Sequence, residues 1–351
     1  MSGHGKDRNH KVTLLVVSGC LLGAFFLYLA FKDISLSELL QGLRQFDPVY
    51  LLPATVVLLM IQFIRAVRFG IILKPFCDLG MKDLWDMLNI WGGLNMLMPA
   101  RLAEFVKPYL VRQSGASFSS GVGAIMVERF FDLLGLLTLL ALVLWTTRGV
   151  PPRYSLLGKA LLVGLATGYV VVLLVLARRE KAQAVIERLV AWLPARMASH
   201  IGDIFRRVTE GLAIMASARR ALLVFACSIV IWVLFAGLTY LFLKAFSINV
   251  PILAAVTIQV FICFGVALPS APGFIGTFHA ACRLALSLFG VAVVPAVSFA
   301  TVYHVFTLVA SVGLGIISYS WGRYRFHSGL LDLTAPRDLV PGEESRQSEA
   351  L

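Results

Sequence analysis

The chain has 351 residues, 59% of them hydrophobic and 14% charged, with a formal net charge of +12 and a mean hydropathy of +0.85. So few charged residues cannot cover a water-soluble globule, so lipid is the solvent for most of the chain. A spanning helix takes about 20 residues, which leaves room for roughly six to eight crossings plus connections and none for a separate catalytic domain.

In chain order, hydropathy predicts full spans over 12–31, 49–67, 118–146, 156–178, 221–245 and 293–320. The first follows Lys6, Arg8 and Lys11 and has no A-x-A cleavage site, so it reads as an uncleaved span and not a signal peptide. Two further apolar segments are broken. The segment 84–112 carries Gly92, Gly93, Pro99 and Pro108, and 251–290 carries Pro269, Pro272, Gly273 and Gly276. Irregular backbone at membrane depth survives only when buried in protein or lining a wet cavity, so each reads as a re-entrant hairpin of two half-helices. The expected fold class is an all-α polytopic membrane protein with about six transmembrane helices and two re-entrant broken-helix hairpins.

The segment 178–220 places Ile201, Ile204, Phe205, Val208, Leu212 and Met215 on one helical face and Asp203, Arg206, Arg207 and Glu210 towards the other. It reads as a basic amphipathic helix lying on the anionic inner leaflet. Residues 1–328 form one integral membrane domain in this reading, and 329–351 form a polar, disordered tail. With the N-terminus inside, cytoplasmic segments hold 18 Lys and Arg against 5 in the outer segments such as 32–48 and 147–155, which places the chain in the cell (inner or cytoplasmic) membrane with both termini in the cytoplasm. The order span, span, broken hairpin, span then occurs twice with opposite orientation, giving possible repeat halves 12–146 and 156–320. Inverted repeats with matching broken segments point to a transporter with its site between the halves.

Ionisable groups inside apolar segments cost several kcal/mol unless paired or hydrated, so they mark the first places to look for chemistry. Arg101, Glu104 and Lys107 share a helical turn after Pro99, with Arg112 beyond them. Glu128, Arg129 and Asp132 lie close to mid-span in VERFFDLL. Arg65 and Arg68 stand at the inner end of the second span. Each group also has a purely structural reading: Arg129 with Asp132 as a local ion pair, Arg65 and Arg68 as snorkelling side chains. At the second elbow, Ser270 is placed to cap the next half-helix, while Gly273 and Gly276 permit close backbone approach of an anion to a positive dipole end. His279 and His304 read as buried neutral histidines or as proton or ligand groups. The five cysteines, Cys20, Cys77, Cys227, Cys263 and Cys282, form no metal-ligand spacing. No nucleotide-binding loop, HExxH or GxSxG motif is present, and no cofactor, metal or nucleic acid is expected.

The run GGLNMLMPARLAEFVKPYLV, then VERFFDLL, then PSAPGFIGTFHAA and SFATVYH, resembles the flippase-like family named for the membrane region of lysylphosphatidylglycerol synthases, over about residues 12 to 320. The resemblance implies handling of membrane lipids: aminoacylated phospholipids moved between leaflets, or polyprenyl-linked sugars. It places Pro99, Arg101, Glu104, Glu128, Arg129, Asp132, Pro272, Gly273 and Gly276 in family motif positions. The chain departs from the family pattern at Phe274 and His279, where members often carry GG and a later Glu. It also lacks the soluble aminoacyl-transferase domain, so synthesis of lysylphosphatidylglycerol is not expected of it.

Three functions follow: a flippase or lipid-binding transporter for an anionic headgroup, a lipid transferase with Glu104 or Glu128 as base, or a non-catalytic scaffold for envelope-lipid enzymes. Membrane lipids are the expected partners, with a lipid-modifying enzyme or a second copy as further candidates. The orientation predicts that a cysteine introduced as His200→Cys into a cysteine-free background is labelled by an impermeant maleimide only from the cytoplasmic side. Labelling from outside would reverse the topology.

Overall fold

The computed structural model describes residues 3–98, 103–146, 217–267, 271–322 and 324, with isolated positions between 156 and 188; side chains are described from Val17 onward. The Pro99–Arg101 elbow, Pro269 and Ser270, most of the 156–178 span, most of the 178–220 segment and the 329–351 tail lie outside the described residues.

The regular structure described is helical: α1 (Gly3–Phe31), α2 (Leu36–Leu43), α3 (Leu51–Leu73), α4 (Met81–Leu97), α5 (Val106–Gln113), α6 (Phe118–Thr146), α7 (Ala218–Ala245), α8 (Ile252–Ala267), α9 (Thr277–Ser287) and α10 (Val293–Trp321). By length and apolarity, α3 with its preceding turn, α7 and α10 can each cross a membrane. The pair α1 and α2, bent by 79°, is a fourth candidate. α6 is as long as α10, but Glu128, Arg129 and Asp132 interrupt its apolar sequence. The described residues therefore establish an all-helical, multi-span fold and three or four of the spans.

Helix α2 falls inside the stretch 32–48 that hydropathy assigns to an outer loop. Its start is written locally: the Ser35 hydroxyl accepts from the Glu38 amide, and the Glu38 carboxylate accepts from the Ser35 amide at 2.7 Å, a reciprocal cap for two orphan donors. The corner before it is closed by Arg283 of α9, which donates to Leu29 O at 2.6 Å, to Ala30 O at 2.9 Å and to the Asp33 carboxylate. A guanidinium thus satisfies carbonyls that the end of α1 leaves without helical partners.

Both broken segments are pairs of helices, as the Pro/Gly pattern predicts. α4 ends at Leu97 and α5 begins at Val106; α8 ends at Ala267, a short turn spans Pro272–Phe274, and α9 begins at Thr277. The two breaks meet. Gly273 has φ +69°, and a Cβ there would lie 3.3 Å from Met96 O at the end of α4. A glycine adopts that left-handed conformation without strain and leaves the approach uncrowded.

Packing between the elements follows one scheme. α3 lies against α7; α4 packs on α10 and α8 on α6; α5 covers α6 as α9 covers α10. Exchanging α3–α6 for α7–α10 maps the α3–α7 pairing onto itself, α4–α10 onto α8–α6, and α5–α6 onto α9–α10. One apolar core lies among α3, α4, α5, α6 and the start of α7, and a second among α3, α7, α8, α9 and α10.

The α4–α10 contact is close because Gly93 and Gly315 face each other: a Cβ on Gly315 would sit 2.9 Å from Asn89 O and 3.1 Å from Gly93 Cα. Small residues let backbones approach where no hydrophobic effect drives helices together. Gly315→Leu is expected to cost about 1–3 kcal/mol by overpacking. Detergent thermal unfolding would show it as a lowered midpoint relative to a control such as Gly313→Leu, whose Cβ meets open space.

Candidate functional site

A carboxylate removed from water must be met by donors and cations. In α6 that carboxylate is Glu128, 1% exposed. Its Oε1 accepts from Arg68 of α3 at 2.9 Å and its Oε2 from Lys107 of α5 at 2.5 Å. Arg68 also donates to Asp132, one turn further along α6, and to Ser228 Oγ of α7 at 2.8 Å. Four helices are tied through these side chains. Arg68 and Lys107 are as buried as Glu128, so Arg68 does not snorkel. Arg129 turns away from Asp132 and pairs across helices with Glu104 at 2.9 Å.

Trp91 of α4 is the common neighbour of the remaining positive charge. Lys107 Nζ lies 4.1 Å from the ring centroid, Arg65 Cζ 5.2 Å and Arg129 Cζ 5.8 Å. The electron-rich ring faces offset repulsion among cations that would otherwise have only the carboxylates to separate them. Arg65 donates to Gln62 Oε1 at 3.0 Å, Gln62 donates to Asn89 Oδ1 at 2.8 Å, and Asn89 donates to Ser318 Oγ at 3.4 Å. That ladder crosses α3, α4 and α10.

Beside this cluster opens a cavity of about 250 Å³. Gln62, Arg65, Trp91, Glu104 and Arg129 form one polar part of its wall; Gln259, Tyr303 and His304, with Phe274 and Phe278, form another; Leu58, Ile61, Leu238, Ile262 and Leu314 are among the apolar residues of the rest. The second polar part is internally bonded. Gln259 donates to Tyr303 Oη at 3.1 Å and to Thr239 Oγ1, and His304 Nε2 donates to Gly273 O at 2.6 Å. Phe278 stacks on His304, and His279 meets His304 edge-on at 5.0 Å.

The residues singled out from sequence separate into three groups. Arg65, Glu104, Arg129 and His304 line the cavity. Arg68, Lys107, Glu128 and Asp132 form the ion network behind it. Arg101 and Ser270 lie outside the described residues, and Arg112 is exposed. The room left by Gly276 is occupied by the backbone of α1, since a Cβ there would fall 2.0 Å from Gly23 O. Trp91, Gln62, Asn89, Gln259 and Tyr303 were not singled out. Their signal was available, because a neutral polar side chain in an apolar span raises the same question of partners as a charge does.

Chemically, the wall offers guanidinium groups to an anion and a volume suited to a headgroup, with apolar side chains around it. Both oxygens of Glu128 are engaged, so it is a poor base. Glu128→Gln leaves Arg68 and Lys107 short of a buried charge and is expected to destabilise the fold by about 3–5 kcal/mol. Glu104→Gln, in a pair open to the cavity, is expected to cost less than about 1 kcal/mol. Unfolding midpoints of the two variants in the same detergent give the comparison.

The family model described as the lysylphosphatidylglycerol synthase TM region matches residues 16–315. Among individual relatives, a UPF0104 membrane protein of Methanothermobacter thermautotrophicus is 24% identical over 331 residues, covering 88% of this chain and 96% of its own length. A glycosyltransferase, AglD, of Haloferax volcanii is 31% identical over 134 residues, which is 37% of this chain and 21% of that protein. With a match over that much of the chain, the chain belongs to the lysylphosphatidylglycerol synthase transmembrane-region family.

Proposed function

We propose that this chain binds an anionic membrane lipid by its headgroup in the cavity between its two halves, and carries or presents that lipid from one leaflet to the other. The observation that carries the reading is the cavity wall itself. Arg65 and Arg129 come from the first half, and Gln259, Tyr303 and His304 from the second. The space suits a headgroup and leaves acyl chains in the surrounding lipid. Two helix sets with exchangeable packing, each containing a broken hairpin, are what alternating access around a central site requires. Residues 12–146 and 156–320 are the halves in this reading, in the cytoplasmic membrane with both termini inside.

Lipid transfer chemistry with Glu128 as base is less well supported, because Arg68 and Lys107 already hold both of its oxygens. Glu104 is bonded to Arg129. A lipid-modifying enzyme or a second copy remains a natural partner for a protein that presents such a lipid.

Protein purified gently into nanodiscs is expected to retain an anionic lipid visible by native mass spectrometry, and to speed exchange of a labelled anionic lipid between leaflets of proteoliposomes. Arg129→Ala should reduce retention by about tenfold, the loss of one charge-assisted contact of about 1.4 kcal/mol, at unchanged expression. Retention and exchange no greater than for empty discs and vesicles would end this reading.

A further inference from the structure

The cluster around Trp91 and Glu128 holds four cations, Arg65, Arg68, Lys107 and Arg129, and three carboxylates, Glu104, Glu128 and Asp132. The carboxylates are allotted. Arg68 takes Glu128 and Asp132, Lys107 takes Glu128, and Arg129 takes Glu104. Arg65 bonds Gln62 at 3.0 Å and stands over Trp91, with no carboxylate partner among the described residues. It is also on the cavity wall. One positive charge of the described cluster is therefore left for whatever enters.

We infer that Arg65 is the residue that takes the phosphate of the bound lipid, and that the cargo is a phosphodiester lipid of single negative charge, not a phosphomonoester. This rests on the lipid-binding reading above. A phosphodiester carries one charge and completes the neutrality of the described cluster. A phosphomonoester carries about −1.5 to −2 near neutral pH and would leave excess negative charge in a poorly solvated site. Geometry agrees with the charge count. Gln62 holds one terminal nitrogen of the guanidinium, Asn89 holds Gln62, and Ser318 holds Asn89. The Trp91 ring lies beside the guanidinium. The fork is thus oriented before the ligand arrives, and its remaining N–H groups are available for two phosphate oxygens. Gln62 is a positioning residue here, acting through Arg65.

The experiment compares retention of phosphatidylglycerol and phosphatidic acid by nanodisc-embedded protein, with inorganic phosphate added as soluble competitor. The parent protein is expected to prefer phosphatidylglycerol and to keep it in millimolar phosphate. Arg65→Gln should lose about tenfold in retention, Arg65→Lys should recover part of it through charge without the fork, and Gln62→Leu should weaken retention while keeping the preference. Arg65→Gln and Arg65→Lys both matching the parent, while Arg129→Ala loses lipid, would overturn the assignment to Arg65 and leave the lipid-binding reading standing. If Arg65→Gln, Arg65→Lys and Arg129→Ala all leave retention unchanged, both fall. Equal retention of phosphatidic acid would overturn the single-charge class, and displacement by inorganic phosphate would make this a free-phosphate site.

Discussion

Glu128 is a carboxylate without water, and the first half of the molecule is arranged around supplying what water would have given it. Arg68 and Lys107 reach it from α3 and α5, and Asp132 and Ser228 accept further hydrogen bonds from one terminal nitrogen of Arg68. Each charge is costly alone and tolerable only in company, so the positions of α3, α5, α6 and α7 are coupled by electrostatics as well as by van der Waals contact. Such a network sets a strict condition on register. Rotating α6 by one residue would withdraw Glu128 from both cations together.

The same network gives the cavity its character. Because Arg68 and Lys107 are consumed by the buried carboxylates, the charge presented to the cavity is carried by Arg65 and Arg129, at different strengths. Arg129 shares its charge with Glu104, whereas Arg65 has an amide and an indole ring for company. The second polar part of the wall contains neutral donors and acceptors fixed by one another, from Thr239 through Gln259 to Tyr303. The wall thus combines cationic attraction for an anion with fixed dipoles, in a space bounded by apolar side chains.

How much of this was written legibly depended on the range of the interaction. Class, the two helix breaks and Glu128, Arg129 and Glu104 as groups in need of partners were readable, because apolar runs, Pro/Gly breaks and intramembrane charge are local signals. Partner choice was not. Arg129 and Asp132, three residues apart, suit a local pair, yet Asp132 is drawn to Arg68 from sixty-four residues upstream. Position in the span made Arg68 look like a snorkelling residue, since hydropathy does not say what packs on a helix end. Helix α2 escaped because hydropathy averages over longer windows than its eight residues, although Ser35 and Glu38 spell its start. Arg101 and Ser270, both weighted in the sequence, fall outside the described residues, so their place in the site rests on sequence alone.

The close crossing of α4 and α10 has a consequence for how such a chain is made. Met81–Leu97 leaves the ribosome long before Val293–Trp321 exists, and domains generally fold from the N-terminal side during synthesis. During that interval Asn89 lacks Ser318, and the glycine face of α4 lacks the helix that fills it. The first half must therefore wait in the bilayer with an unfinished polar surface, held by lipid headgroups, water or the insertion machinery. Among the described helices α10 is the one that closes this face, so the polar ladder from Arg65 to Ser318 is completed only once Val293–Trp321 has been made.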